Sequence, residues 1–131
     1  MKSILAFTLF LSLATAFAAA APSKVHFVKP HDKEVVPPTF QVEFAVDGMT
    51  VAKAGEMKAG TGHHHLIIDG KPVPKGQVVP KDETHKHFGD AATSTSVSLK
   101  PGMHTLTMQF ADGAHKSLGE EYATTINVEV K

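Results

Sequence analysis

Three consecutive imidazoles, His63-His64-His65, and a second group, His85-Lys86-His87, stand out in a chain of 131 residues that holds nine histidines and no cysteine. Imidazole nitrogen is a common ligand for Zn(II) and Cu(II), which take nitrogens about 2 Å from the ion in roughly tetrahedral or square arrangements. On an extended strand, successive side chains point to opposite faces. If Leu66 and Ile68 face a core, His64 goes with them, and His63 and His65 form a pair on the other side with Ile67 and Asp69. His85 and His87 repeat that i, i+2 spacing. Two such pairs on neighbouring strands or loops supply three or four imidazoles to one ion. The spacing therefore predicts a site for Cu(II) or Zn(II) made by His63, His65, His85 and His87, completed by His104 or His115.

The remaining histidines carry different weights. His104 has the parity of Leu106, Met108 and Phe110, which puts it at the core edge of its strand and leaves ligand and hydrogen-bonded structural roles both open. His115 lies in the turn from Asp112 to Gly119, where a loop can swing it over a site opened by the histidine strand. His26 and His31 read as solvated surface residues. Ligation requires neutral imidazole, so affinity is expected to fall between about pH 7 and pH 5. The competing reading of the same residues is a histidine network that orders loops without metal, because a ring can donate from one nitrogen and accept at the other.

Other chemistry is sparse. Thirteen basic residues balance thirteen acidic ones, so no standing basic patch argues for nucleic acid. The absence of cysteine excludes thiolate metal sites, covalent haem attachment and a cysteine-ligated blue-copper centre. There is no Gly-x-Ser-x-Gly elbow, no phosphate-binding glycine loop and no His-Glu-x-x-His motif. Glu56, Asp82, Glu83, Glu120 and Glu121 read as solvated charges, and Met49, Met57 and Met103 are too scattered to suggest a thioether copper site.

The elements that must position the histidines read as short strands. Residues 1–20 have a positive start, a continuous apolar run and small-x-small sites at Ala16-Phe17-Ala18 and Ala18-Ala19-Ala20, the pattern of a secretory signal peptide. Cleavage near Ala19 or Ala21 would deliver a single domain over 22–131 to the periplasm or outside the cell. No later segment approaches transmembrane length. Loss of Lys2 with the leader leaves 12 basic groups against 13 acidic ones, and full protonation of the nine histidines would turn the balance positive.

Apolar residues then alternate at Phe40, Val42, Phe44 and Val46, at Thr93, Thr95, Val97 and Leu99, at Leu106, Met108 and Phe110, and at Thr124, Ile126, Val128 and Val130. Val25 and Phe27 suggest another strand, His63 to Asp69 a sixth, and the proline-broken stretch from Val73 to Val79 at most a short edge strand. Turn residues recur at Asp47-Gly48, Asp69-Gly70, Pro101-Gly102 and Asp112-Gly113. The pattern predicts an all-β fold, an immunoglobulin-like antiparallel β-sandwich of about seven short strands.

The segments Thr61-Gly62-His63-His64-His65-Leu66-Ile67-Ile68-Asp69, Thr84-His85-Lys86-His87-Phe88-Gly89 and Pro101-Gly102-Met103-His104-Thr105-Leu106, in that order and spacing, resemble a bacterial exported family known as domain of unknown function 4399. The resemblance extends to Val25-His26-Phe27-Val28-Lys29-Pro30 and to the strand through Phe44, and so to nearly all of the expected mature chain. It implies one constellation of His63 to His65, His85, His87, His104 and His115, without supplying an activity. Asp90-Ala91-Ala92-Thr93 and the short Asp112 to His115 turn depart from the family's pattern. His85-Lys86-His87-Phe88-Gly89-Asp90 is also similar to an element of copper/zinc superoxide dismutases, whose cysteine pair is missing here.

Together these features point to an exported β-sandwich that captures, buffers or delivers a transition-metal ion. A non-catalytic envelope interaction or adhesion module, meeting a periplasmic or envelope partner protein, and a histidine-ligated metalloenzyme with superoxide-dismutase-like chemistry are the alternatives.

Overall fold

A computed structural model describes residues 22–131; the expected signal peptide lies outside the described residues. The strands are β1 (Val25–Lys29), β2 (Glu34–Val36), β3 (Thr39–Val46), β4 (Thr50–Val51), β5 (Thr61–Ile68), β6 (His85–His87), β7 (Ser94–Ser98), β8 (Gly102–Ala111) and β9 (Ala123–Val130), with one short 3-10 turn at Glu120–Tyr122. One sheet has the order β1-β3-β7; the other runs β2-β9-β8-β5-β4, with β6 also paired to β5. The long pairs β5–β8 and β8–β9 are antiparallel. The short edges β2 and β4 pair in parallel with β9 and β5.

The architecture is the expected all-β sandwich, with nine strands among the described residues instead of about seven. The difference lies in β2, β4 and β6, which are two or three residues long and too short to show an alternating pattern. In the opposite sense, Val73 to Val79 forms no strand. Pro72, Pro74 and Pro80 remove ladder donors, and only an isolated bridge, Val78 to Lys116, remains there.

Alternation explains the core between the sheets. Phe40, Val42 and Phe44 of β3 and Val97 of β7 face Leu66 and Ile68 of β5, Leu106, Met108 and Phe110 of β8, and Ile126, Val128 and Val130 of β9 in one apolar cluster. With no disulfide, the domain depends on this cluster, whose area removed from water is the dominant stabilising term.

The central strands β5 and β8 are also covered on their outer face. Ile67 and Ala111 meet Val73 and Val79 there in a second cluster. The covering segments are fixed by buried polar groups. Gln109 accepts from the Val73 backbone N–H at 3.1 Å and donates to the Gly119 carbonyl at 3.1 Å. The Ser117 hydroxyl donates to the Val73 carbonyl at 2.7 Å. As a result every residue of β5 from Gly62 to Ile68 is buried, on both faces of the strand.

Gly62 is required at the entry to this strand. A Cβ there would run into the Ala111 carbonyl oxygen and come within 2.6 Å of the Phe110 ring. Both contacts are core or backbone atoms with no free direction to move. Gly62→Ala should therefore lower stability by about 1–3 kcal/mol, read as a lower urea midpoint at unchanged slope; an unaltered midpoint would contradict this packing.

Candidate metal centre

The period of two in β5 sends His63, His65 and Ile67 to the outer face, while His64, Leu66 and Ile68 face the sandwich core. His63 pairs with Ala111 and His65 with Gln109 across β8. Both imidazoles are fully buried, beneath the loop that follows β8.

That loop delivers His115. The Asp112 carboxylate accepts from the backbone N–H groups of Ala114 and Lys116, each at 2.9 Å, and the His115 N–H donates to the Asp112 carbonyl at 2.9 Å. The Val79 N–H donates to the His115 carbonyl at 2.8 Å. Gly113 packs so closely on the Glu56 backbone that a Cβ would overlap it. His115 itself has φ 63°, in the left-handed region that costs a non-glycine residue energy unless its surroundings impose it. Here they aim its ring at β5.

The result is a convergence of three nitrogens. Nδ1 of His115 lies 2.9 Å from Nε2 of His63 and 3.3 Å from Nε2 of His65, and one ligand atom from each of the three residues falls within 4.8 Å of the others. Tetrahedral coordination with zinc–nitrogen bonds near 2.0–2.1 Å separates its nitrogens by about 3.3 Å. Two of the three separations are near this value and the third lies within 4.8 Å, so small movements of the rings would bring all three nitrogens onto one ion. A metal-free network satisfies these atoms poorly. One lone pair or one N–H on His115 Nδ1 cannot fully serve two partners.

His87 adds a fourth ring. It pairs with His65 across β5 and β6, and its centroid lies 4.4 Å from that of His65 and 4.7 Å from that of His115. Its Nε2–H donates to the Pro80 carbonyl at 2.6 Å. In the neutral ring that leaves the lone pair on Nδ1.

The structure does not bring His85 and His104 to this group. His85 opposes Ile67 and binds the Asp82 carboxylate through Nδ1 at 2.8 Å; the bond from His85 holds that carboxylate down to about 2. His104 bonds to the Asp69 carboxylate through Nδ1 and to the Lys100 carbonyl through Nε2, both at 2.8 Å. Both ring nitrogens are thus turned to acceptors and away from the imidazole group, and the bond to Asp69 raises the pKa of this ring. His104 also lies on the other face of β8, five residues beyond the Gln109 position that opposes His65.

His64 has a different environment. It is buried between Phe44 and Phe110, with ring centroids at 4.8 and 4.9 Å, and neither of its nitrogens has a partner. It occupies a position where alternation calls for an apolar residue. His26 and His31 are exposed, as the sequence suggested.

Burial sets the protonation of the centre. It pushes His63 down to about 4, with the neighbouring His115 and His87 acting in the same direction. Burial together with His63, His87 and His115 pushes His65 down to about 2. His115 is lowered by burial, then by His87 and the Lys81 ammonium, against the opposing pull of Asp112. At neutral pH the three converging rings are therefore uncharged, the form that binds metal.

The centre opens on one side. A cleft of about 560 Å³ is walled by Val78, Val79, Pro80 and Lys81 and reaches His87 and His115. Its far side is made by Ala54 and Gly89, joined by a hydrogen bond from the Ala54 N–H to the Gly89 carbonyl at 2.9 Å.

Fold and site together define an all-β sandwich with a buried imidazole cluster under a loop layer. The chain belongs to the family described as Domain of unknown function (DUF4399), whose model matches residues 42–131. No curated protein and no solved structure matches it.

Sequence reasoning missed Gln109, Asp112 and Pro80 as parts of this centre. Gln109 sits on the polar side of β8 and reads as solvent-facing. Its burial follows only from the loops that close over it.

Depressed histidine pKa values carry a stability consequence with a definite sign. In the metal-free protein the unfolded chain takes up protons near pH 6.5, whereas His63 and His64 resist them to about 4 and His65 to about 2. Stability should be fully present above pH 6.5 and fall as the pH drops towards 4. His64→Leu, which removes both unpartnered nitrogens, should flatten that fall without lowering the urea midpoint at pH 7. An unchanged pH slope in this variant would contradict the assignment.

Proposed function

We propose that this protein binds one transition-metal ion, Cu(II) or Zn(II), through His63, His65 and His115, and that it works as an exported carrier that captures, buffers or delivers the ion in the periplasm or outside the cell. The observation that carries this reading is the convergence of Nε2 of His63, Nε2 of His65 and Nδ1 of His115 on one small volume. The donor set is nitrogen only, which suits Zn(II) and Cu(II) and excludes sites that depend on thiolate.

Exchange, more than permanent retention, fits the surroundings. Metal-ligating histidines ordinarily give their second N–H to a carboxylate or carbonyl, and loss of such a partner weakens metal affinity about 10–100-fold. Nδ1 of His63 has no such partner. The ion is therefore bound less tightly than in a fully braced site and reaches solvent through the cleft.

Elemental analysis of untagged protein, followed by Zn(II) and Cu(II) titration, tests the proposal. One ion per chain is expected. His63→Ala or His115→Ala should weaken binding at least about 100-fold, while His85→Ala and His104→Ala should leave it within about twofold. Binding that survives the first pair, or requires the second, would refute this ligand set.

The pH profile is a separate check. Since His63 and His65 resist protonation to about 4 and about 2, protons compete with metal at these two rings only at correspondingly low pH. Affinity should stay high through pH 6 and fall below it, later than the pH 7 to pH 5 window expected for unperturbed histidines. Isothermal titration between pH 7.5 and 4.5 would show this; a loss centred on pH 6.5 would mean the rings are not buried as described.

A further inference from the structure

We propose that the cleft beside the imidazole group binds a monocarboxylate with an apolar body, whose carboxylate fills the coordination position that the protein leaves open; this rests on the metal reading above. His63 and His65 are fully buried. Of the imidazole group, only His115 and His87 line the cleft, and Nδ1 of His115 is one of the three converging nitrogens, so the cleft meets the centre at His115. One ligand atom from each of His63, His65 and His115 falls in the group, and none from His87, so a four-coordinate ion keeps at least one position for an exogenous ligand.

The chemistry of that ligand follows from charge and lining. Three neutral imidazoles contribute no charge, so a divalent ion keeps its full +2, and an anion is favoured as the next ligand. Among the lining side chains Lys81 carries a fixed positive charge and none is a carboxylate. Val78, Val79, Pro80 and Ala54 make the remaining walls apolar. The volume of about 560 Å³ is large enough to take a small molecule, and the cleft is open on its outer side. One negative head beside the ion and Lys81, with a hydrocarbon body along the Val78 to Pro80 wall, matches each of these features. The bond between the His87 N–H and the Pro80 carbonyl ties that wall to the imidazole group.

The test uses the full mature chain loaded with Co(II) in place of Zn(II), whose visible absorption responds to a change of ligand. Hexanoate should change the spectrum saturably, and affinity should rise from acetate to hexanoate by about two- to fourfold per methylene. Hexylamine and hexanol should leave the spectrum unmoved. Lys81→Gln, compared with the parent protein with both saturated with Co(II), should weaken hexanoate at least about tenfold, since the head then meets one positive charge fewer. Methyl signals of Val78 and Val79 should shift on hexanoate addition.

If Co(II) binds and hexanoate leaves its spectrum unchanged, or if hexylamine acts equally well, the carboxylate site is overturned and the metal centre stands. If neither Co(II) nor Zn(II) binds, the metal centre is overturned, and the carboxylate site with it.

Discussion

Burial of both faces of β5 is the constraint on which the rest of this structure depends. A strand with one wet face would leave His63 and His65 in water, where imidazoles are mobile and titrate near neutrality. Here the sandwich core covers one face and a loop layer covers the other. A run of three histidines is thus divided by the simple period of the strand between two dry environments. Desolvation holds the three rings neutral, and the close-packed strand limits their movement. Both effects arise from the same burial.

The loop layer is held mainly by polar groups. Gln109 bonds to backbone on both covering segments, Ser117 fastens the second to the first, and Asp112 ties the turn that carries His115. Buried polar groups of this kind are costly when unpaired and directional when paired. The same network that closes the outer face therefore also sets the position of the third nitrogen. The unusual φ of His115 is the local expression of that control.

The histidines of this chain have separated into distinct physical states. His63, His65 and His115 are neutral and convergent; His87 lies against them with its tautomer directed by a carbonyl. His104 lies between two acceptors, a carboxylate and a carbonyl, and His85 is bound to a carboxylate. His64 is an unpartnered ring in an aromatic core. Their environments follow from what lies opposite each ring, which differs from one to the next although the residue type is the same.

Much of this was legible in the sequence, and the limit is a physical one. Alternation of apolar residues is a local property, so the chain by itself determined an all-β sandwich, the long strands, the inward turn of His64 and the outward pairing of His63 with His65. It also determined, through the absence of cysteine, that no thiolate takes part in any metal site here. The short strands β2, β4 and β6 were not legible, because two or three residues carry no period. Nor could parity alone tell that His85 and His104 would be claimed by Asp82 and Asp69, since those bonds depend on turns and register. Only the tertiary structure decided that the outer face of β5 is dry, that Gln109 is buried, and that His115 from a distant loop completes the triangle. Those outcomes depend on how separate segments meet in space, and alternation along one strand carries no information about what will cover it.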